Sequence, residues 1–180
     1  MVRIAAVEQI RVKMKADDVL LVLLIGHGSF DGTEAKFNLV GPDLSSGEWA
    51  ALLKPIPGRI VVIDSTAASF PFLEKLAGPR RVVITATDSP MQRFDTIFPE
   101  YFIKSLTDPS ADIDKNGRIS VWEAFTAASM AVRRYYTQRG PLRRRQVGPD
   151  EIELRLAAVE RAVPDQQHEQ NVVGLHLRAD

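Results

Sequence analysis

Apolar residues in this chain gather in short dense runs set between longer polar stretches. Three runs have strand length: "VLLVLLI" at 19–25, "RIVVID" at 59–64 and "RVVITA" at 81–86. Continuous runs of this kind suit strands buried on both faces of a parallel sheet. The segments around them carry the helical period instead. Ile4, Val7, Ile10 and Met14 predict an amphipathic first helix. Ser46–Leu53 and Phe70–Leu76 predict two more, stopped by Pro55 and Pro57 and by Gly78-Pro79. Phe98, Tyr101, Phe102 and Leu106 mark a fourth, and Phe125, Ala128, Val132 and Tyr135 lie on one face of a long fifth. Strands alternating with helices argue for an α/β domain with a parallel sheet covered on both sides. Residues 28–47 read as a long loop, within which "FNLVGPDL" can hold a short strand or hairpin arm. Beyond residue 140 the pattern fades: 151–162 predicts a surface helix, and 164–180 is polar with no clear period. The expected division is a domain over 1–140 and a poorly defined tail over 141–180.

Composition narrows the chemistry. The 180 residues suit one domain with a real core, and 45% are hydrophobic. Lys and Arg number 23, as do Asp and Glu, so no global charge draws the chain to nucleic acid or to an anionic membrane. Arg143-Arg144-Arg145 is short, lacks interleaved aromatics and reads as a solvated loop. There is no cysteine, which excludes disulfides, cysteine-based zinc sites and a cysteine nucleophile. His27, His168 and His176 lack metal-ligand spacing. The apolar run at 19–25 is too short to span a bilayer. A cytoplasmic protein is the expectation.

In an open parallel sheet ligands sit beyond the carboxyl ends of the strands. Three loops should meet there: 26–33 with His27, 65–69 "STAAS" and 87–97. The expected crevice residues are His27, Gly28, Asp64, Ser65, Thr66, Ser69 and Asp88. "LLIGHGSFDGTEAKFNLVGPDL", followed by "VVIDSTAASF" and "RVVITATDS", resembles the caspase-like clan, closest to its legumain and GPI-transamidase type. There a strand ends in a His-Gly pair, and the next ends in an acidic residue, a small residue and the catalytic cysteine. His27-Gly28 matches the first motif and Asp64-Ser65-Thr66 the second, with Thr66 in the cysteine slot. The segment 98–128, "FPEYFIKSLTDPSADIDKNGRISVWEAFTAA", resembles the helix–calcium-loop–helix tail of bacterial caspase-like proteins. The resemblance implies a three-layer α/β/α sandwich with a mainly parallel sheet and a C-terminal helix–loop–helix.

Thr66 departs from that pattern at the decisive position. A threonine hydroxyl has a far higher pKa than a thiol and needs a strong base, an orienting partner and an oxyanion hole. Two readings follow. One is a catalytically silent homologue that binds or scaffolds an unknown protein or peptide, with His27 and Thr66 as vestigial positions. The other is a hydrolase using Thr66, Ser65 or Ser69 with His27 as base, oriented by Asp31 or Asp88. The caspase-like sheet also usually begins with a strand before the first helix, and residues 1–18 supply only a helix. A sheet edge left open in that way is a route to self-association.

The most specific motif is "DIDKNGRISVWE" at 112–123, which fits D-x-[DN]-x-[DN]-G-x5-E throughout. Asp112, Asp114 and Asn116 would offer side-chain oxygens to calcium, Arg118 its carbonyl, Ser120 a water-mediated contact and Glu123 two oxygens. The competing reading is an acidic turn that caps the helix starting near Val121. Pro109 breaks the incoming helix, and the loop is single. Both features favour a structural ion over a switch.

Overall fold

A computed structural model describes residues 2–90, 96–138 and 172–178. They belong to two compact units, the first containing 2–90 and 172–178, the second 96–138.

The first unit opens with helix α1 (Val2–Lys13), then strand β1 (Val19–Ile25). Three very short strands follow, β2 (Gly28–Phe30), β3 (Ala35–Phe37) and β4 (Leu44–Ser45), then helix α2 (Ser46–Leu53). β5 (Arg59–Asp64), α3 (Phe70–Leu76) and β6 (Arg81–Thr85) complete the alternation. The last described strand is β7 (Val172–Arg178). The main sheet has the order β6-β5-β1-β7, and every pairing is parallel. Registers such as Leu24↔Asp64 and Asp64↔Thr85 align the carboxyl ends of β1, β5 and β6, so the loops after them emerge at one rim.

The predicted runs at 19–25 and 59–64 are strands over their full length, and the run at 81–86 ends one residue early. Burial refines the expectation for β1. Leu20, Val22 and Leu24 are fully buried, whereas the alternate positions are only half-buried. β5, between β1 and β6, is closed on both faces, with Val62 and Ile63 inaccessible. The core joins Leu20, Val22 and Leu24 to Val7 of α1, Trp49 and Leu53 of α2, and Phe72 and Leu76 of α3.

Two expectations are corrected. Residues 28–47 are a small antiparallel sheet, β2-β3-β4, as well as loop. Its strands are two or three residues long, too short for alternation to register, although Ala35 and Phe37 both point into the core. Residues 172–178, expected to lack regular structure, form β7 along β1, from Val19↔Val172 to Ile25↔Arg178. The edge of β1 expected to be open is therefore paired by a strand from far along the chain. The helix expected over 151–162 lies outside the described residues.

α2 starts on a reciprocal cap: the Glu48 amide donates to Ser45 Oγ at 3.2 Å, and the Ser45 amide donates to Glu48 Oε2 at 2.8 Å. At Gly58, φ is +84°, and a Cβ would collide with the Asp18 carbonyl oxygen. Only glycine lets that turn pass so close to the β1 entry.

The second unit is a helical pair, α4 (Phe98–Ser105) and α5 (Val121–Gln138), joined through a 3-10 turn (Pro109–Ala111) and the acidic loop. Phe98 meets Phe125 with ring centroids 6.2 Å apart, and Tyr101 meets Tyr135 at 6.2 Å, both edge-on. Among the described residues no helix is long and apolar enough to cross a membrane.

Candidate functional site

The two predicted motifs lie where the chain leaves β1 and β5. After Ile25 the chain turns through Gly26 and presents His27, which is exposed, before entering β2 at Gly28. The His27 carbonyl accepts from the Asn38 amide at 3.0 Å, tying this turn to the chain just after β3. Gly28 lies directly on the loop after β5. A Cβ built on it would stand 2.5 Å from Thr66 Oγ1, 2.9 Å from Thr66 Cβ and 3.2 Å from Ala68 Cβ. The two sequence motifs, His27-Gly28 and Asp64-Ser65-Thr66, thus meet, and they meet at Gly28 and Thr66.

The loop after β5 is sealed and strongly self-bonded. Asp64, Ser65, Thr66 and Ser69 are all buried, Thr66 completely. Ser65 extends the sheet: its amide and its hydroxyl both donate to the Leu24 carbonyl, at 3.0 and 2.7 Å. Ser69 Oγ accepts from the Thr87 amide at 3.1 Å and lies 3.0 Å from Thr87 Oγ1, which in turn accepts from the Phe70 amide at 3.2 Å. Both serine hydroxyls are spent on holding the strand ends. Thr87 was not among the predicted site residues. Its place in "TATDS" identified it only as a loop residue, yet it locks the 65–69 turn to the exit of β6.

Asp64 and Thr66 differ from the serines. Asp64 Oδ1 accepts from the Thr66 amide at 2.9 Å, but Asp64 Oδ2 and Thr66 Oγ1 are both buried with no hydrogen-bond partner among the described residues. Burial pushes the Asp64 carboxyl up to about 6, with the Thr66 amide pulling the other way. The Thr66 hydroxyl is therefore not held by the His27 ring. Asp31, one candidate to orient that ring, is engaged in its own turn. Its Oδ1 accepts from the Glu34 and Thr33 amides at 2.9 Å, and its Oδ2 lies 3.8 Å from Lys36 Nζ. Those amide bonds, with help from the lysine, hold its carboxyl below the ordinary range. Asp88 is half-buried in the loop after β6.

In the second unit, one carboxylate oxygen each from Asp112, Asp114 and Glu123 lies within 4.8 Å of the others. The backbone curls around the two aspartates. Asp112 accepts from the amides of Asn116 and Gly117, and Asp114 from the amide and side-chain nitrogen of Asn116. Lys115 at φ +60° and Gly117 at φ +82° supply the left-handed steps of the turn. Asn116 Oδ1 accepts from the Arg118 amide at 2.8 Å. Glu123, buried in the first turn of α5, accepts from the Ile113 and Asp114 amides through Oε1 and from the Ser120 amide and hydroxyl through Oε2. Burial opposes its charge, but the bonds from Ser120 and from the Asp114 and Ile113 amides outweigh it and hold the carboxyl below the usual glutamate range. Ser120 and Glu123 also form a reciprocal cap, since the Glu123 amide donates to Ser120 Oγ at 3.2 Å. The same residues can cap a helix and present oxygens to a hard cation.

The chain matches no family model, no curated protein and no solved structure.

Proposed function

We propose that this chain is a catalytically silent domain of the caspase-like type, a three-layer α/β/α sandwich acting as a calcium-stabilised module that binds or scaffolds a protein or peptide partner. The observation that carries the reading is the state of Thr66. It lies against Gly28 of the His-Gly pair, where the resemblance puts the nucleophile, yet its hydroxyl is fully buried and no base holds it. A hydroxyl nucleophile must be exposed to substrate and hydrogen-bonded to a base that is itself oriented. The neighbouring serines do not take over that role, because their hydroxyls are committed to Leu24 and Thr87. The parallel order β5-β1 and the exit of both motifs at one rim support the kinship.

The calcium half of the reading rests on the 112–123 motif and on the clustering of Asp112, Asp114 and Glu123. Asn116, the Arg118 carbonyl and Ser120 complete the oxygen set that a calcium loop of this length uses. The ion's work there is to neutralise three carboxylates and fasten the start of α5.

The competing hydrolase reading predicts turnover that depends on His27. The test is hydrolysis of a fluorogenic peptide library by the full chain in millimolar calcium. The expected result is no release above the protein-free blank, for the native chain and for His27→Ala alike. Release by the native chain that disappears in His27→Ala would replace the silent reading with the hydrolase.

A further inference from the structure

At the amino ends of β5 and β6, the rim opposite the His27 and Thr66 motifs, lies a cavity of about 230 Å³. A six-residue strand separates the two ends by roughly 20 Å. Lys54, Arg80 and Arg81 line it together with apolar wall residues that include Ile56 and Pro79, and no lining residue is acidic. We propose that this cavity binds a small diphosphate-class anion, two linked phosphate groups held by Lys54, Arg80 and Arg81.

The chain has no net charge, so three cations converging without a carboxylate are a local choice and not a global bias. Each arginine spends one donor on the fold. Arg81 Nη2 donates to the Leu53 carbonyl at 2.9 Å, and Arg80 Nη2 donates to the Ala16 carbonyl. These bonds anchor one nitrogen of each guanidinium and leave the remaining N–H groups for a ligand; guanidinium forks suit phosphate oxygens. Arg81 is half-buried, its charge penalised by desolvation, and no ion pair to a carboxylate offsets this among the described residues. Arg80 is also held at φ +58°, a left-handed conformation that costs any residue with a Cβ. A less strained backbone was open to evolution at this position through glycine. Lys54, exposed at the C-terminal end of α2, brings the third charge. The volume suits two linked phosphates: a water takes about 30 Å³ of liquid, so the cavity of about 230 Å³ holds the equivalent of roughly eight waters.

The test is isothermal titration of the full chain with inorganic pyrophosphate at constant ionic strength, in EDTA so that no calcium is present to be chelated. ADP and AMP are run in parallel. Saturable binding of pyrophosphate is expected, weakened at least fivefold by Lys54→Gln and by Arg80→Gly. Arg80→Gly removes the cation while suiting the backbone angle, and Lys54→Gln changes only an exposed side chain, so the pair separates lost binding from lost folding. Lys75→Gln, an exposed lysine on α3, should leave binding unchanged. Binding of ADP but not of free pyrophosphate would place the anion on a nucleotide, and AMP binding equal to ADP would overturn the requirement for two phosphates. No saturable heat with any of the three, or equal weakening by Lys75→Gln, would overturn the site.

Discussion

Gly28 touches Thr66 because it has no side chain to keep it away. Adding one methyl at Gly28 places a carbon 2.5 Å from the Thr66 hydroxyl, inside any van der Waals limit. Gly28→Ala should therefore destabilise the domain by about 1–3 kcal/mol, the usual cost of forcing an extra group into a packed site. Thr66→Ala in the same chain should recover part of that loss, so the two changes should be less than additive in urea unfolding. Strict additivity would mean that the residues are not in contact. Asp64 gives a pH signature at the same spot. Its folded-state carboxyl is raised from 3.8 to about 6, so the folded protein holds this proton more tightly than the unfolded chain. The stability it contributes is fully present below about pH 4 and is lost as pH rises through 6. At about 1.36 kcal/mol per unit, the loss is about 3 kcal/mol. Asp64→Asn cannot ionise, so relative to the native chain it should gain about that much stability between pH 4 and 7. A difference that stays constant with pH would mean that Asp64 ionises as freely in the fold as outside it.

At the scale of elements, the loop before α5 serves two ends with the same atoms. Ser120 and Glu123 cap the helix, and Glu123 with Asp112 and Asp114 assembles a cluster of oxygens. Glutamine also serves at the third position of a capping box, so Glu123→Gln separates the roles. It keeps one acceptor oxygen for the cap, gives up the acceptor for the Ile113 and Asp114 amides, and loses the charge of the bidentate ligand. A ligand at a hundredfold excess over its Kd adds about 2.7 kcal/mol to stability. For a chain of this size that corresponds to a rise of roughly 5–10 °C in Tm. Millimolar calcium should produce such a rise, EDTA should reverse it, magnesium should do less, and Glu123→Gln should abolish the rise while lowering the calcium-free Tm, since one carboxylate oxygen no longer accepts. Superimposable melting curves in calcium and EDTA would leave only the cap. The acidic cluster was legible because Asp112, Asp114 and Glu123 lie within twelve residues and need nothing from elsewhere. The small sheet β2-β3-β4 was not, because strands of two or three residues carry too few positions to show a period. The strand length of β1 and β5 could be read directly from unbroken apolar runs, while the one-sided burial of β1 depends on what covers each face and is invisible in the run itself.

At the scale of the whole molecule, the chain places its first strand inside the main sheet and returns near its far end to flank it with β7. In "VVGLHLR" Val173, Leu175 and Leu177 alternate with Gly174, His176 and Arg178, a short period-two strand signal that the polar stretch around it obscures, while its pairing with β1 comes from the sheet. The candidate site was legible in a similar measure. His27-Gly28 and Asp64-Ser65-Thr66 could be singled out from order and spacing, and parallel strands of matched register bring them to one rim. Which atoms meet there was beyond the sequence, since burial of Thr66 and the commitment of Ser65 and Ser69 depend on Leu24 and Thr87, distant along the chain. The central claim is that this rim keeps the outline of a catalytic crevice with its nucleophile position shut. Thr66→Cys tests it most directly, because it puts the only thiol of the chain into the slot at little change in volume. The measurement is the iodoacetamide alkylation rate of that thiol in the native state, with and without His27→Ala, against the same chain in urea. The account predicts alkylation at least about a hundredfold slower in the native state, limited by opening of the fold, and indifferent to His27. Rapid native-state alkylation that collapses in His27→Ala would contradict it, and would show an open slot still paired with its base.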